Sequence, residues 1–465
     1  MKKSVRCLVG CLRLLSILVV GVFCGRAAHG AEAKAGVRPN ILFILTDDQR
    51  WDTIHALGNP EIQTPNLDRL VEEGFHFNNV YCMGSMSGAV CLPSRSMLMT
   101  GRSVWRLPPL MAKTTPPGVT VLPDVLRKAG YVTYHCGKSN NACRYGNAAC
   151  DVNVETVKTG PDDMWLHGKR VVQFLESHDR TKPFFIYLAP SVPHDPRTAT
   201  KTFVEMYDPS KLSLPKNFMP QHPFDNGELK VRDEMLAAHP RTKKDMQQHL
   251  AAYYACISDL DKQVGRILDS VRELGYSDNT IVIFSSDQGL AVGGRHGLMG
   301  KQNLYEHVKP PLVFAGAGIP HGQSDALVYL YDLFPTICDF AGAKIPRAAE
   351  GESLVPIIEG KATDVRPYLF AAYRDWQRMV RDRRWKLLEY IVGKEHHTQL
   401  FDLSTDPDEL HNLADEPGKA KDVARLRGEL VRMAKGFGDP DTALYEGVLT
   451  GGMKADGVPS EAPRR

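Results

Sequence analysis

The chain has 465 residues, of which 43% are hydrophobic and 24% charged, as in a globular protein with one large and one smaller domain. A formal net charge of +3 excludes the strongly basic composition of a typical nucleic-acid-binding protein. Beyond the N-terminal segment, no apolar run reaches the roughly 20 residues of a membrane helix, so we expect no stable membrane span in the mature chain.

The first 30 residues have the pattern of a secretory signal peptide. A basic region that contains Lys2 and Lys3 precedes the apolar residues 14–23. Residues 28–30, Ala-His-Gly, fit a cleavage site between small residues. The pattern predicts removal of residues 1–30 and export to the periplasm or out of the cell. An uncleaved membrane anchor is the alternative, which the shortness of the apolar stretch disfavours.

Apolar runs typical of buried parallel strands alternate with helical patterns through most of the chain. Strands are predicted at residues 40–46, 131–135, 184–188, 280–284 and 312–314. Helices are predicted at residues 65–73, 121–129, 163–177 and 243–274. The alternation predicts an α/β catalytic domain over residues 38–364, with a mostly parallel mixed sheet flanked by helices. Residues 198–241 are polar and weakly periodic, and we expect a long surface excursion at the rim of a site.

The pattern changes after about residue 365, where short strand candidates follow one another. They lie at residues 368–372, 377–381, 385–390 and 399–403. With a helix over residues 419–435, they predict a small α+β subdomain over residues 365–435 that contains an antiparallel sheet. The polar tail, residues 436–465, is predicted to be disordered.

Of the ten cysteines, three lie in the predicted signal peptide. An exported protein can form disulfides, and Cys143 with Cys150 is the best candidate pair because the two are close in sequence. Connectivity does not follow from sequence. No Cys-x-x-Cys or His-x-x-His pair occurs, so the sequence does not predict a zinc site.

Two pairs of oxygen donors follow predicted strands directly. Asp47 and Asp48 follow the strand at 40–46, and Asp287 with Gln288 follows the strand at 280–284. Ligand sites of α/β domains lie at the carboxyl ends of strands, and adjacent buried carboxylates need compensating charge. Four oxygen donors favour a hard cation, Ca²⁺ or Mg²⁺. The alternative for such a pair is an ordinary turn or helix cap.

Residues 91–102 form the run CLPSRSMLMTGR. Pro93 can begin a helix, which would put Cys91 at a helix N-terminus that favours anions. Arg95 lies one turn further and can face back toward residue 91, and Gly101 can end the helix. The run resembles the signature of the type I sulfatases, a family of the alkaline phosphatase-like superfamily.

The resemblance implies that a formylglycine-generating enzyme oxidises Cys91 to formylglycine (3-oxoalanine), whose hydrate attacks the sulfate ester. It implies Ca²⁺ binding by Asp47, Asp48, Asp287 and Gln288. It also assigns catalytic and sulfate-contacting roles to Lys138, His194 and Lys301, and a catalytic role to Arg95. His194 would protonate the leaving oxygen or bind sulfate. The resemblance extends over roughly residues 38–434.

One position departs from the family pattern. The family has Gly-Lys-Trp-His, whose histidine helps to deprotonate the second hydroxyl, whereas Gly137-Lys138 is followed here by Ser139 and Asn140. Asparagine is not a general base. His296, also a candidate substrate-binding residue, or His135 could replace the histidine. Slower turnover or a variant chemistry is the alternative.

We therefore expect an exported sulfatase that hydrolyses a sulfate monoester of a carbohydrate or small alcohol. A phosphodiester or phosphonate ester hydrolase of the same superfamily is the second hypothesis. A non-catalytic protein that binds sulfated glycans is the third, prompted by the missing histidine. The rim segments determine which ester is bound, and their sequence does not identify it.

Overall fold

The computed structural model describes residues 38–156 and 161–451 of the chain. The predicted signal peptide, residues 1–30, lies outside the described residues. The strands are β1 (Asn40–Thr46), β2 (Phe75–Tyr81), β3 (Gly84–Ser85), β4 (Val132–Lys138), β5 (Val152–Thr156), β6 (Phe184–Ala189), β7 (Thr280–Ser286), β8 (Leu312–Gly316), β9 (Gly322–Tyr329), β10 (Leu369–Tyr373), β11 (Gln377–Arg381), β12 (Trp385–Val392) and β13 (Glu395–Asp402).

Helices connect and cover these strands. They are α1 (Pro65–Glu73), α2 (Cys91–Thr100), α3 (Leu122–Lys128), α4 (Arg144–Ala148), α5 (Pro161–Ser177), α6 (Lys201–Val204), α7 (Lys243–Glu273), α8 (Leu333–Phe340), α9 (Val355–Ile358), α10 (Ala420–Phe437) and α11 (Thr442–Leu449). No helix within the described ranges is both long and apolar enough to cross a membrane.

The larger sheet has eight strands in the order β5-β4-β6-β1-β7-β8-β2-β9. β1 pairs in parallel with β6 and β7, while β8 runs antiparallel to β7 and β2. The predicted mostly parallel mixed sheet is therefore confirmed. Because β1, β4, β6 and β7 are parallel, their carboxyl ends meet at one edge of the sheet, and residues that follow them are brought together there.

Helices bury both faces of this sheet. On one face, Val264 and Ile267 of α7 belong to a core that also contains Leu42 of β1. On the other face, Ile337 of α8 packs in a core with Phe43. Each fully buried aliphatic side chain contributes about 1.5–3 kcal/mol, so the apolar stripe of α7 fixes its orientation on the sheet. The central strands are buried on both faces, which explains their continuous apolar sequence.

The smaller sheet has the order β13-β12-β11-β10-β3, and β10 to β13 are antiparallel neighbours as predicted. β3 adds to its edge in parallel with β10, although it comes from the chain just before α2. Gly84 in β3 has φ = 105°, and a Cβ atom there would collide with the carbonyl oxygen of Ala372. The close approach of the two backbones therefore requires glycine.

The predicted disordered tail is wrong for residues 436–451, since α10 extends to Phe437 and α11 follows it. Tyr445 of α11 is 1% exposed, with the Arg378 guanidinium 4.8 Å from its ring centre. This buried aromatic side chain helps to fix a segment whose overall composition is polar. The rest of the predicted tail, residues 452–465, lies outside the described part of the chain.

The candidate disulfide is also absent. Cys143 and Cys150 are both buried free thiols, and burial raises the pKa of Cys143 to about 11. Proximity in sequence did not bring the two sulfur atoms into bonding geometry.

Candidate active site

The carboxyl ends of β1 and β7 carry the two predicted pairs of oxygen donors. Asp47 and Asp48 follow β1, Asp287 and Gln288 follow β7, and all four are at most 1% exposed. The Asp48 N–H donates to Asp287 Oδ1 at 3.1 Å, and Gln288 Nε2 donates to Asp48 Oδ1 at 2.7 Å. Asp48 has φ = 69°, a left-handed conformation in which aspartate is enriched. Parallel pairing thus places three carboxylates and an amide side by side.

Cys91, the first residue of α2, lies against this cluster. Its Sγ is 3.2 Å from Gln288 Nε2, 3.3 Å from Lys301 Nζ and 3.8 Å from Asp48 Oδ1. Burial and the nearby Asp47 carboxylate raise the pKa of the Cys91 thiol well above its ordinary value. An unmodified Cys91 is therefore a neutral thiol and a poor nucleophile.

Lys301 neutralises Asp48. Its Nζ lies 2.9 and 2.7 Å from the two carboxylate oxygens, although the lysine follows β7 by fifteen residues of loop. Burial alone would raise the pKa of Asp48, but the charges of Lys301 and His194 hold it below its usual value. Burial would likewise lower the pKa of Lys301, and Asp48 raises it instead. The pair is ionised.

Arg95 holds the strand ends rather than turning toward the thiol. Its Nε donates to Asp287 Oδ2 at 2.9 Å, and its Nη2 lies 3.4 Å from the Thr46 carbonyl oxygen and 3.9 Å from Asp47 Oδ2. Burial opposes the charge, but Asp287 keeps the pKa of Arg95 well above its usual value. The guanidinium therefore fastens the turn after β1 to the turn after β7.

Lys138 and His194 reach the same cluster from β4 and from the segment after β6. Lys138 Nζ pairs with Asp47 Oδ2, and His194 Nε2 is 3.7 Å from Asp48 Oδ2. Burial alone would raise the pKa of Asp47, but Lys138 and Arg95 hold it far below its usual value. Burial lowers the pKa of His194 against the opposing effect of Asp48.

The oxygen atoms left over fit a divalent cation. Asp47 Oδ1 and Gln288 Oε1 are buried without a hydrogen-bond partner. Ligand atoms of Asp47, Asp48, Asp287 and Cys91 lie within 4.8 Å of one another. Burial and repulsion by Asp47 raise the pKa of Asp287 to about 6 against the opposing effect of Arg95, as expected where buried carboxylates crowd together. Carboxylate and amide oxygens are ligands of Ca²⁺ and Mg²⁺.

Two acidic residues that the sequence did not single out fix the loop of Lys301. Glu234 accepts hydrogen bonds from the N–H groups of the two residues before Lys301, at 3.0 and 2.7 Å. Asp233 Oδ2 lies 3.7 Å from Lys301 Nζ. Both acids are buried, although they belong to the predicted surface excursion at residues 198–241. The charged composition of this segment predicted that it is exposed. Instead, the Glu234 carboxylate accepts hydrogen bonds from loop N–H groups, and the Asp233 carboxylate lies close to the Lys301 ammonium group.

Tyr253 of α7 supports the turn after β1. Its hydroxyl donates to the Asp48 carbonyl oxygen at 2.6 Å and accepts from the Arg50 N–H at 2.9 Å. Tyr253 is fully buried within the helix predicted at residues 243–274. Helical periodicity carries no signal for the direction of a hydroxyl group.

The two histidines considered as replacements do not contact Cys91. His296 Nε2 lies 3.1 Å from Glu306 Oε2, and His135 Nδ1 lies 2.7 Å from Asn153 Oδ1. Of the four histidines and lysines predicted to contact sulfate, the structure therefore brings Lys138, His194 and Lys301 to the cluster and leaves His296 apart.

Comparison with known proteins agrees with this geometry. The Sulfatase family pattern matches residues 39–343, and a pattern described as N-sulphoglucosamine sulphohydrolase, C-terminal, matches residues 294–436. The chain belongs to the sulfatase family. It is a hydrolase of sulfuric esters, as are the relatives named below.

Curated sulfatases resemble this sulfatase along most of their length. An N-acetylglucosamine-6-O-sulfatase of Bacteroides thetaiotaomicron is 25% identical, with 88% of this chain and 89% of the relative covered. An arylsulfatase of Clostridium perfringens is 28% identical, with 86% of this chain and 95% of the relative covered.

Solved structures share the fold of this sulfatase. One, in complex with its substrate D-glucosamine-2-N,6-O-disulfate, has a TM-score of 0.72 and 23% identity, and covers 87% of this chain and 99% of its own. A phosphonate monoester hydrolase of Agrobacterium radiobacter has a TM-score of 0.72 and 20% identity, covering 86% and 96%. At this identity the likenesses establish the fold and not the substrate.

Proposed function

We propose that this sulfatase hydrolyses sulfate monoesters of carbohydrates at a site made of Cys91, converted to formylglycine, and a Ca²⁺ ion. The main support is the meeting of Cys91 Sγ, Lys301 Nζ and Gln288 Nε2 within 3.3 Å beside Asp48. These residues come from three separate chain segments, the turn after β1, the start of α2 and the loop after β7. Only the tertiary fold brings them together, at the sheet edge where α/β proteins bind ligands.

Asp47, Asp48, Asp287 and Gln288 would hold the ion, with Mg²⁺ as the alternative to Ca²⁺. The ion would neutralise the clustered carboxylates and polarise sulfate oxygens. Arg95 keeps Asp287 in place through its 2.9 Å hydrogen bond. The partnerless Asp47 Oδ1 and Gln288 Oε1 support this assignment, because buried oxygen atoms without partners are costly.

The formylglycine hydrate would supply the hydroxyl nucleophile and a second hydroxyl for release of sulfate. Cys91 begins α2, so free backbone N–H groups of the first turn favour an anion next to it. Lys301 and Lys138 each place an ammonium group beside the cluster, and we assign them to the sulfate oxygens. A formylglycine-generating enzyme is the maturation partner that this proposal requires.

His194 is assigned to the leaving alcohol oxygen. Its Nδ1 lies 2.7 Å from the Asp195 carbonyl oxygen, so Nδ1 is the donor and Nε2 exchanges the proton. The side chain is 17% exposed, whereas the Asp48 side chain beside it is 1% exposed. His194 therefore lies on the solvent side of the cluster, where an alcohol would depart. Asn140, at the position of the expected family histidine, is exposed and takes no part.

Mass spectrometry of the Cys91 peptide from the native host tests the nucleophile. Conversion of the thiol to the aldehyde is the expected result. An intact thiol in a fully active preparation would overturn the proposal, and an intact thiol with retained binding of sulfated glycans would favour a non-catalytic binding protein.

A substrate screen tests the ester class. Sulfated monosaccharides, including N-acetylglucosamine-6-sulfate, are compared with phosphonate monoesters and phosphodiesters on one preparation. The choice of sugar follows the curated relative that acts on N-acetylglucosamine-6-O-sulfate, as its name states. A higher kcat/KM on sulfate esters is expected, and preference for phosphonates would favour the second hypothesis.

The proposal also includes export and the division of the chain. Residues 1–30 would act as a signal peptide, residues 38–364 as the catalytic domain, and residues 365–435 as the small subdomain. N-terminal sequencing of the mature protein from the host tests the first of these. A mature chain that still begins at Met1 would refute it.

A further inference from the structure

A second group of positive charges lines a cavity between the two sheets. The cavity measures about 280 Å³, and its lining contains none of the residues placed around Cys91. Tyr81 at the end of β2 and Arg381 at the end of β11 face it from the two sheets, and Lys309 completes the group.

Arg381 is buried without a carboxylate partner. It is 3% exposed, and its Nη1 donates to the Tyr81 hydroxyl at 2.9 Å and to Asn79 Oδ1 at 3.2 Å. Its Nε and Nη2 bond backbone carbonyl oxygens of the next two residues. Each of these acceptors is neutral, so the guanidinium forms no ion pair within residues 38–156 and 161–451.

Lys309 is the second cation of this group. Its Nζ lies 4.4 Å from the centre of the Trp51 ring and forms no ion pair with any residue that the structure describes. Burial lowers the pKa of Lys309 and the charge of Arg381 lowers it further, against the opposing effects of Tyr81, Glu409 and Glu306. A lysine in this position is stabilised by an anion.

The acidic residues of the lining do not supply that anion. Glu306 Oε1 accepts from Arg295 Nη1 at 2.6 Å, and Glu409 Oε1 accepts from Lys386 Nζ at 2.7 Å. At the exposed margin, Asp325 and Arg383 carry opposite charges. The lining carboxylates thus pair with cations other than Lys309 and Arg381, and Lys309 itself is only half-buried.

The pKa of Tyr81 is consistent with a positive electrostatic potential in this cavity. Burial alone would raise its pKa, but Arg381, Lys386 and Lys309 together bring the pKa of Tyr81 below its ordinary value. The hydroxyl accepts from Arg381 and keeps its own hydrogen available as a donor.

We propose that this cavity binds a tetrahedral oxyanion, inorganic sulfate or phosphate, between Lys309 Nζ, the Arg381 guanidinium and the Tyr81 hydroxyl. Two unpaired positive charges match a dianion, and charged donors bind such anions more strongly than neutral donors do. A cavity of about 280 Å³ leaves room for water beside the ion.

The site is connected to the catalytic turns through backbone hydrogen bonds. The Lys309 carbonyl oxygen accepts from the Trp51 N–H at 3.0 Å, and the Val308 carbonyl oxygen accepts from the Gly289 N–H at 3.0 Å. Trp51 follows Asp48 by three residues, and Gly289 follows Gln288 directly. An anion held by Lys309 thus stabilises the segment on which both turns rest.

Calorimetric titration of the metal-loaded enzyme with sodium sulfate at constant ionic strength tests the proposal. One binding event is expected to weaken at least about tenfold in Lys309→Met and in Arg381→Gln. Lys361→Met, which removes an exposed lysine, is the control and should match the wild type. Any sulfate binding at the Cys91 site is a separate event that Lys309→Met preserves, so failure of the proposed function and failure of this site are distinguishable.

Anomalous diffraction from wild-type crystals soaked in selenate locates the ion without any substitution. A selenium peak within hydrogen-bond distance of Lys309 Nζ and Arg381 supports the proposal, and its absence overturns it. A peak without a calorimetric difference between wild type and Lys309→Met means an adventitious ion only and also overturns it. Repeating the titration with phosphate identifies which of the two oxyanions binds more tightly, and binding of neither refutes the site.

Discussion

The cluster around Cys91 and the cluster around Glu306 are both buried groups of acids that could hold a metal ion by distance alone. Around Cys91, Asp47 Oδ1 and Gln288 Oε1 lack hydrogen-bond partners. Around Glu306, the Oε1 atom accepts from Arg295 Nη1 at 2.6 Å and from an asparagine amide at 2.8 Å. The neighbouring Glu409 accepts from a lysine at 2.7 Å and from the Glu306 N–H at 3.1 Å.

The difference shows that the spacing of acids is a weaker sign of a metal site than the satisfaction of their oxygens. The three carboxylates around Cys91 also accept from cations, but Asp47 Oδ1 and Gln288 Oε1 remain buried without a partner, whereas both carboxylate oxygens of Glu306 are paired. The Glu306 cluster instead joins the Lys301 loop to the small sheet, where the Tyr305 hydroxyl donates to Gln399 at 2.6 Å.

The largest effect is expected for the nucleophile of the first cluster. Cys91→Ala should reduce kcat/KM at least about 1,000-fold while leaving the melting temperature close to that of the wild type. Steady-state kinetics on the best sulfated sugar measure it. Cys338→Ala, which removes a buried thiol in α8, is the matched control and should retain activity. Wild-type turnover by Cys91→Ala would refute the assignment.

Metal affinity separates the two clusters directly. Asp287→Asn should weaken Ca²⁺ binding by more than about 100-fold, because it removes a charged ligand, whereas Glu409→Gln should not change it. Calorimetric titration of protein stripped with EDTA gives both values, and EDTA should lower the melting temperature of the wild type. Equal weakening of Ca²⁺ binding by both substitutions would show that the ion does not bind at Asp287, and would refute the distinction between the two clusters.

The charged groups beside Cys91 are expected to matter next. Lys301→Ala and His194→Ala should each lower kcat/KM at least about 100-fold, as for loss of one charge-stabilising or acid–base group. Lys216→Ala removes a lysine that is 77% exposed beside the Glu306 cluster, and should have little effect. Activity of Lys301→Ala within a few-fold of wild type would be incompatible with a sulfate contact.

Loss of a cation from the second cluster should affect stability rather than chemistry. Lys386→Met leaves the buried Glu409 carboxylate unpaired, and the free energy of unfolding should fall by about 3 kcal/mol. Urea denaturation measures the change, with Lys361→Met as the exposed control. Surface substitutions usually change the free energy of unfolding by less than about 0.5 kcal/mol. A loss no larger than that in Lys386→Met would show that the pair contributes little.

The smallest effect is expected for His222, which lies at the border of the cluster around Glu306. It is a change in how stability depends on pH. Burial lowers the pKa of His222 to about 4, and its Nδ1 lies 2.7 Å from the Phe224 carbonyl oxygen. The unfolded state therefore binds more protons between pH 4 and about 6.5, and stability falls as pH decreases through that range.

His222→Gln should reduce the loss of unfolding free energy between pH 7 and pH 5.5 by about 1 kcal/mol. Urea denaturation at the two pH values measures it. His411→Gln, at an exposed position, provides the control, and an unchanged pH dependence in His222→Gln would contradict the expectation.

Individual strands and helices could be predicted from local sequence. The buried strand at Asn40–Thr46 and the helix predicted at 243–274, observed as Lys243–Glu273, follow from apolar runs and periodicity. The polar residues at the ends of β1 and β7 could be placed together because parallel strands share an edge. The sequence therefore predicts that the two pairs of oxygen donors lie together, and the structure brings Cys91 to them.

What depends on distant contacts could not be predicted. β3 has two residues and no periodic signal, and α11 packs Tyr445, Leu444 and Val448 on a core that includes the small sheet. Asp233 and Glu234 are polar residues in a polar segment, and their burial follows only from the loop that they support. The direction of His296 toward Glu306 likewise depends on packing against Tyr305, with ring centres 3.9 Å apart.

The edge strand β3 has a consequence for the timing of maturation. It ends six residues before Cys91, and it can pair only after β10, far later in the chain, has been synthesised. Once it pairs, Cys91 is 1% exposed and out of reach of another enzyme's catalytic groups. The proposed oxidation of Cys91 therefore precedes the folding that buries the thiol.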